Sequence, residues 1–361
     1  MKKIEQKMDK ISKKLMSAIL LVEMLLVACT NGESEFDQSS NVISSSSLIN
    51  ETEMATTFAS GKGTISDPYM INTPEEFKYF REQVNLGNDF INQYIVLNTN
   101  LNVTESIWQP IGSRSRKFMG NFDGNGKTIS GVLKATYDVE VFGFFGYIVY
   151  GTISNLNITA TIDASNVAPE ATSYIGSVAG RCDGTMVNCS NKGLVQGPKA
   201  ASRSVRIGGL TGSLTSGKMI NCENQGDVKG GNAIDDVDFF VAGLTAINEG
   251  DIINSNNNGN IEGGVTRNGF SCVGGLAGYL MSKGSIDNSK NLGTIVVGVS
   301  TSSNKSFTGL LVGRTNNNVP SNDGYNVYAS CYNLNGNGEI SGNVAQYLIG
   351  SCKATVISDL K

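Results

Sequence analysis

The 361-residue chain carries a formal net charge of -4, 43 Gly and no His. The missing imidazole excludes a Ser-His-Asp triad, a Cys-His pair and a zinc-metalloprotease helix, and leaves carboxylate, Lys, Arg or Tyr chemistry open. A mildly acidic chain gives no electrostatic reason to expect nucleic acid, and its Gly and Asn, with only 6 Pro, suit short strands joined by tight turns.

The N-terminus reads as an address. Lys2, Lys3, Lys7, Lys10, Lys13 and Lys14 precede an apolar run over 15–28, which is short for a bilayer span but fits a signal-peptide core. The run ends Leu26-Val27-Ala28-Cys29, which resembles the bacterial lipobox. By that resemblance residues 1–28 are a lipoprotein signal peptide and Cys29 is lipidated, so the protein is expected to be exported and membrane-anchored, at the outer membrane or cell surface. Without those 28 residues, 22 basic side chains face 29 acidic ones. The Ser/Asn/Glu-rich stretch over 29–60 reads as a flexible tether. Glu33 and Glu35 resemble the acidic export tags of surface lipoproteins.

Residues 61–130 are expected to form a small α/β cap over the open edge that a stack of strands would expose. Thr73-Pro74-Glu75-Glu76 is a capping box with Pro at the first helical position; Phe77, Phe80 and Val84 share one helical face, and Gly87 ends the helix. One strand is expected next, with Ile95, Leu97, Leu101 and Val103 alternating inward. Asp123-Gly124-Asn125-Gly126 resembles the start of a Ca²⁺ loop, but Lys134 stands where that loop needs its twelfth-position Glu, so the segment reads as a tight turn.

From 131 to 336 the chain repeats itself. Val-Phe-Gly-Phe-Phe-Gly at 141–146 recurs as Gly-containing phrases ending at 180, 212, 246, 278 and 313, in steps of 34, 32, 34, 32 and 35. A second phrase ends at Asn155, Asn188, Asn221, Asn254 and Asn288, in steps of 33, 33, 33 and 34. Helical repeats of this period are excluded by the Gly, Asn and β-branched content. Leu156, Ile158, Ala160 and Ile162 alternate with polar residues as a strand does. Each unit is therefore a coil of short strands, stacked about 4.8 Å from the next by parallel pairing. The expected fold is an all-β parallel solenoid of ~33-residue coils, closed by a C-terminal cap over 337–361. Equivalent positions stack, so Asn188, Asn221, Asn254 and Asn288 are expected to form one amide ladder and Asn191, Asn224, Asn257 and Asn291 a second. Cys189 and Cys222 fall at equivalent places, within disulfide reach, and read as small buried free thiols; Cys182, Cys272, Cys331 and Cys352 show no pairing.

Residues 61–316 resemble bacterial surface proteins with GLUG-type repeats. The resemblance rests on Gly-Thr-Ile-Ser-Asp-Pro-Tyr at 63–69, the box at 73–76, Trp-Gln-Pro-Ile-Gly at 108–112, Phe-Asp-Gly-Asn-Gly at 122–126 and the Gly-Gly-Leu phrases. It implies a right-handed parallel β-helix at the cell surface. Related repeats occur in exported β-helical adhesins and beside the protease domain of some IgA-cleaving metallopeptidases, whose catalytic motif needs His and is absent here.

The loops at 198–204, 232–238, 266–270 and 300–306 differ from coil to coil while the strands repeat. Variable loops on a rigid solenoid are suited to recognition. They supply the candidate binding residues Arg203, Asn232, Asp235, Asp236, Asp238, Arg267 and Lys305, for a glycan or a host or extracellular protein. Asp235, Asp236 and Asp238 are also the one metal candidate, suited to Ca²⁺, although Val237 splits them and a solvated acidic loop is the plainer reading; no cofactor is otherwise expected. The sequence is read as a membrane-anchored, non-catalytic binding protein. One alternative is a polysaccharide lyase of β-helix type, with Arg206, Lys218 or Lys229 as base beside bound Ca²⁺; the other is a passive surface spacer.

Overall fold

A computed structural model of the chain describes residues 57–168, 171–233, 236–296, 298–300 and 306–315, with the backbone of Tyr332–Asn333 and Ile340–Ser341. The signal segment, Cys29, the tether as far as residue 56, Asp235, Lys305, Cys331 and Cys352 lie outside the described residues; the end of the expected tether is instead part of the cap, with Phe58 stacked on Tyr69 at 4.5 Å and Ala59 N–H donating to Glu76. Within them the protein is a parallel β-solenoid with three faces. Each coil contributes a strand to a six-stranded sheet (Val141–Phe142, Ser173–Ile175, Val205–Gly208, Phe239–Ala242, Ser271–Gly274, Ser306–Gly309). A second face holds 12 strands and a third 15. Pairing between coils is parallel and in register, Ile207 opposite Ile175 and Val241. The divergent phrases at 241–246 and 308–313 keep that register, Val241 opposite Val273 and Val273 opposite Thr308.

The N-terminal helix spans Pro74–Leu86 with the reciprocal Thr73–Glu76 box, and Gly87 closes it at φ 113. It buries Phe77, Phe80 and Val84 against Phe90, Trp108, Phe118, Phe122 and Phe144, which plug the end of the solenoid. The Trp108 indole N–H donates to the Gly143 carbonyl at 2.9 Å. Arg81 sits over the Trp108 ring at 4.6 Å and makes a two-pronged contact with Glu105. The single strand expected over 95–103 is two: Tyr94–Leu97 joins the second face and Leu101–Val103 the third. The alternation continues unbroken through the corner between them, so it cannot reveal that the chain changes sheet. Asn125 and Gly126 adopt positive φ, 49 and 70, as a tight turn requires, but the flanking strands enter different sheets and form no hairpin.

The two Asn rows differ. Asn191 Nδ2 donates to Asn224 Oδ1 (2.7 Å), Asn224 to Asn257 (2.7 Å) and Asn257 to Asn291 (2.8 Å), all fully buried. Each Nδ2 also donates to the carbonyl two residues on, as Asn224 does to Gly226. Both amide hydrogens are used, which is what burial of an amide demands. The outer row makes Asn188 to Asn155 and Asn288 to Asn254 bonds, and its common feature is a left-handed backbone, with φ from 44 to 53 at Asn155, Asn188, Asn221, Asn254 and Asn288. Asn tolerates this conformation better than other non-Gly residues, so this row turns the corner between the second and third faces. A third row lies between them: Cys189 N–H donates to Cys222 Sγ (3.5 Å), Cys222 N–H to Ser255 Oγ (3.0 Å) and Ser255 N–H to Ser289 Oγ (3.0 Å). Two Cys are followed by two Ser because the position needs a small acceptor and either serves; both thiols are free.

Candidate functional site

Where they are described, the loops at 198–204, 232–238 and 266–270 stack as expected. Ala201 N–H donates to the Asn232 carbonyl and Ala233 N–H to Val265. Arg203, Asn232, Asp236 and Arg267 are exposed along this row, whereas Asp238 is half-buried. The carboxylates tie one loop to the next: Asp238 Oδ1 accepts from Phe270 N–H at 2.8 Å and Asp236 Oδ1 from Asn268 Nδ2 at 3.1 Å. Among the described residues no group of three His, Cys, Asp or Glu is placed to hold a metal ion, and the acidic triplet is incomplete there because Asp235 lies outside them. The three candidate lyase bases are not brought together. Arg206 is on the six-stranded sheet, Lys218 on the second face beside Asp251 (3.9 Å), and Lys229 on the third.

A different feature was not anticipated from the sequence. Between the six-stranded sheet and the second face the chain bends at its Gly-rich phrase, and the outward side chains of the two sheets meet. They form a crease outside the main core. Its clearest sign is a second apolar cluster, Phe240, Ala246, Ile247 and Cys272 with Phe270, Tyr279, Met281 and Phe307, separate from the core that holds Phe239, Val241 and Val273. Phe240 of one sheet stacks on Tyr279 of the other at 5.6 Å. One wall is the register row Tyr174, Arg206, Phe240, Cys272 and Phe307. The other is Tyr147, Arg181, Ser213, Ile247, Tyr279 and Arg314.

The bend has a steric cause. A Cβ on Gly209 would sit 2.5 Å from the Asn224 side-chain carbon; Gly243 and Gly275 meet Asn257 and Asn291 in the same way. The phrase thus folds inward until it touches the buried Asn ladder on the opposite wall, and in these three coils no side chain fits; one coil earlier the equivalent place holds the buried Ser177, whose hydroxyl donates to the Gly209 carbonyl at 2.5 Å. The first coil has Phe144 and Ile158 at these two places, where the aromatic plug begins.

The two halves of the crease differ in chemistry. Toward the cap, Arg181 lies over Tyr147 (4.8 Å) and Tyr174 (5.1 Å), and Arg206 over Tyr174 (4.7 Å). Arg206 Nη1 donates to the Tyr174 hydroxyl at 2.5 Å, and the Tyr147 hydroxyl donates to Asp183 Oδ2. Burial, then the bond to Asp183, pushes Tyr147 up to about 12, and burial lowers the pKa of Arg206. The buried Nε atoms of Arg181 and Arg206 have no acceptor, and Asp183 Oδ1 has no donor within hydrogen-bond distance. Toward the other end the lining is apolar, and Arg314 lies over Phe270 (4.1 Å), Phe307 (5.2 Å) and Tyr279 (5.4 Å). The cap end adjoins a cleft of about 550 Å³ lined by Ile107, Pro110, Arg114, Asp138, Glu140 and Val141. The sequence did hold a signal: the residue immediately after each Gly-rich phrase is Tyr147, Arg181, Ser213, Ile247, Tyr279 and Arg314 in turn.

The GLUG motif matches residues 271–296, one coil that runs from the strand Ser271–Gly274 around to Ile295–Val296. Over 135 residues the chain is 32% identical to a "Putative Gly-rich membrane protein" of Evansella cellulosilytica, a stretch that is 37% of this chain and 15% of that protein. The chain therefore spans a small part of the length of that relative. Among solved structures, it is similar to a "putative immunoglobulin A1 protease" from Bacteroides ovatus, at 18% identity and a TM-score of 0.48, over 80% of each chain. Among the described residues no helix is long and apolar enough to cross a membrane.

Proposed function

We propose that this parallel β-helix, one coil of which matches the GLUG motif, is an exported, lipid-anchored protein that binds an extended glycan along its crease without transforming it. The observation that carries this is the continuous lining. Aromatic and Arg side chains from both sheets form one track through consecutive coils. Sugar rings present apolar faces to aromatic surfaces and hydroxyls to fixed donors, and a polymer engages several coils at once. Extended solenoid faces serve this purpose in general.

The variable loops supply the outer bank of the same surface. Phe270 belongs both to a loop and to the apolar cluster, and Asp238 both ties the loops and lies near Arg206. Arg203, Asn232, Asp236 and Arg267 then meet the ligand's edge.

Anchoring is proposed through Cys29. Its support is the basic and apolar N-terminus and the description of the Evansella relative as a membrane protein. Replacing Cys29 by Ser is expected to move the protein from the membrane to the soluble fraction and to abolish incorporation of labelled fatty acid.

The binding proposal is tested by screening the full chain against glycans and extracellular-matrix proteins. Retention on one or more glycan polymers, weakened by Tyr279→Ala, is the expected result. Binding to matrix proteins alone would replace the glycan reading with a protein partner. Binding to nothing would favour a passive spacer, and release of an ultraviolet-absorbing unsaturated product would favour a lyase.

A further inference from the structure

We infer that the cap-side half of the crease is a subsite for a carboxylate- or sulfate-bearing sugar, so that the polymer bound is an acidic polysaccharide held by Arg181 and Arg206. This deepens the glycan-binding reading and rests on it. The inference starts from how the two guanidinium groups are held. Arg181 is sandwiched near the faces of Tyr147 and Tyr174, and Arg206 lies on Tyr174 while donating to its hydroxyl. Long Arg side chains normally lose rotamer freedom on binding; here ring stacking has already fixed the planes. A planar fork held in place is suited to the two oxygens of a carboxylate or sulfate.

The charge balance points the same way. Among the described residues Asp183 is the one carboxylate in ion-pair reach of Arg181, at 3.9 Å, and it also accepts the Tyr147 hydroxyl. Arg206 has its hydrogen bond to a phenol, with Asp238 and Glu249 acting only as more distant charges. Lys117 over the Tyr147 ring at 5.7 Å and Arg114 near Tyr147 add positive charge on the cap side. Two buried Nε donors without acceptors are the kind of group that proteins rarely leave unpaired, and an anionic ligand supplies acceptors. The burial that disfavours the Arg206 charge is relieved by the same anion. Downstream, the rings of Tyr279, Phe270 and Phe307 offer apolar surface, which suits the uncharged faces of following sugars.

The test uses the full chain and a panel of soluble oligosaccharides of matched length: neutral, uronate-containing and sulfated. Binding is measured by calorimetry at low and raised salt for the wild type and for Arg181→Gln, Arg206→Gln, Arg181→Lys and Tyr279→Ala. Acidic oligosaccharides are expected to bind more tightly than neutral ones and to weaken with salt. Each Arg→Gln change is expected to cost about tenfold or more in acidic binding and little in neutral binding, by the usual size of a charged hydrogen bond. Arg181→Lys is expected to recover only part, since it keeps the charge and loses the fork. Unchanged thermal unfolding of these variants separates lost recognition from lost folding. Equal binding of neutral and acidic members, or acidic binding indifferent to both Arg→Gln changes, overturns the anion subsite while leaving the glycan-binding reading intact. Failure of every oligosaccharide to bind the wild type overturns both.

Discussion

The inside and the outside of one bend follow opposite rules. On the inside, Gly209, Gly243 and Gly275 repeat against Asn224, Asn257 and Asn291. On the outside, a few residues away on the same strands, equivalent positions hold Tyr147, Arg181, Ser213, Ile247, Tyr279 and Arg314. In these coils the inner positions must each satisfy the same neighbour in the next coil, so their chemistry repeats, and it changes only toward the aromatic plug, where Phe144 and Ile158 take the two places. The outer ones face only each other and whatever lies in the crease. Repetition thus marks the scaffold, and variation at fixed register marks the surface free to specify a partner.

Breaking the inner row is expected to have the largest effect on stability. Asn224→Ala strands the Asn257 acceptor and the Gly226 carbonyl in the core, at a cost of about 3 kcal/mol, read as a lower urea midpoint. Gly209→Ala drives a Cβ to 2.1 Å from the Gly243 carbonyl oxygen, and the forced backbone shift is expected to cost about 2 kcal/mol. Neither change touches the crease lining directly, so any remaining folded protein should bind its ligand with near-normal affinity.

On the outer row the balance reverses. Phe240→Ala removes a ring that is 7% exposed and stacked on Tyr279; about 1.5 kcal/mol of stability is expected to go, together with most of the affinity. The smallest effect concerns pH. Tyr147 holds its proton more tightly when folded, up to about 12 against the ordinary 10.0. Its contribution to stability is complete below pH 10 and is lost as the pH rises from 10 through 12. In Tyr147→Phe the fall in unfolding temperature over that window should be shallower than in the wild type.

This contrast also explains what the sequence made legible. The solenoid, its period and its parallel register are visible because the Gly phrase and the Asn phrase recur. The helical cap is visible because Thr73, Pro74, Glu76 and Gly87 each satisfy a local requirement of a helix end. The distinction between the two Asn rows is not, since a left-handed corner at Asn221 and a buried ladder at Asn224 use the same side chain for unrelated reasons. The crease was missed for a related reason. Tyr174, Arg181 and Arg206 are scattered in sequence, and strand alternation assigns them outward without saying that two outward faces meet. The loops vary more visibly along the sequence, but there Asp236 and Asp238 bond to neighbouring loops.

Hydroxyl-radical footprinting of the full chain, with and without a bound acidic oligosaccharide, tests the division of labour most directly. Aromatic and sulfur side chains react readily, and the crease is rich in both. Protection is expected at Tyr147, Tyr174, Tyr279, Met281 and Phe307, with Leu86 and Ile65 on the cap, 74% and 75% exposed, unchanged. Protection confined to the cap or to the third face, with the crease residues reacting as before, would contradict the account.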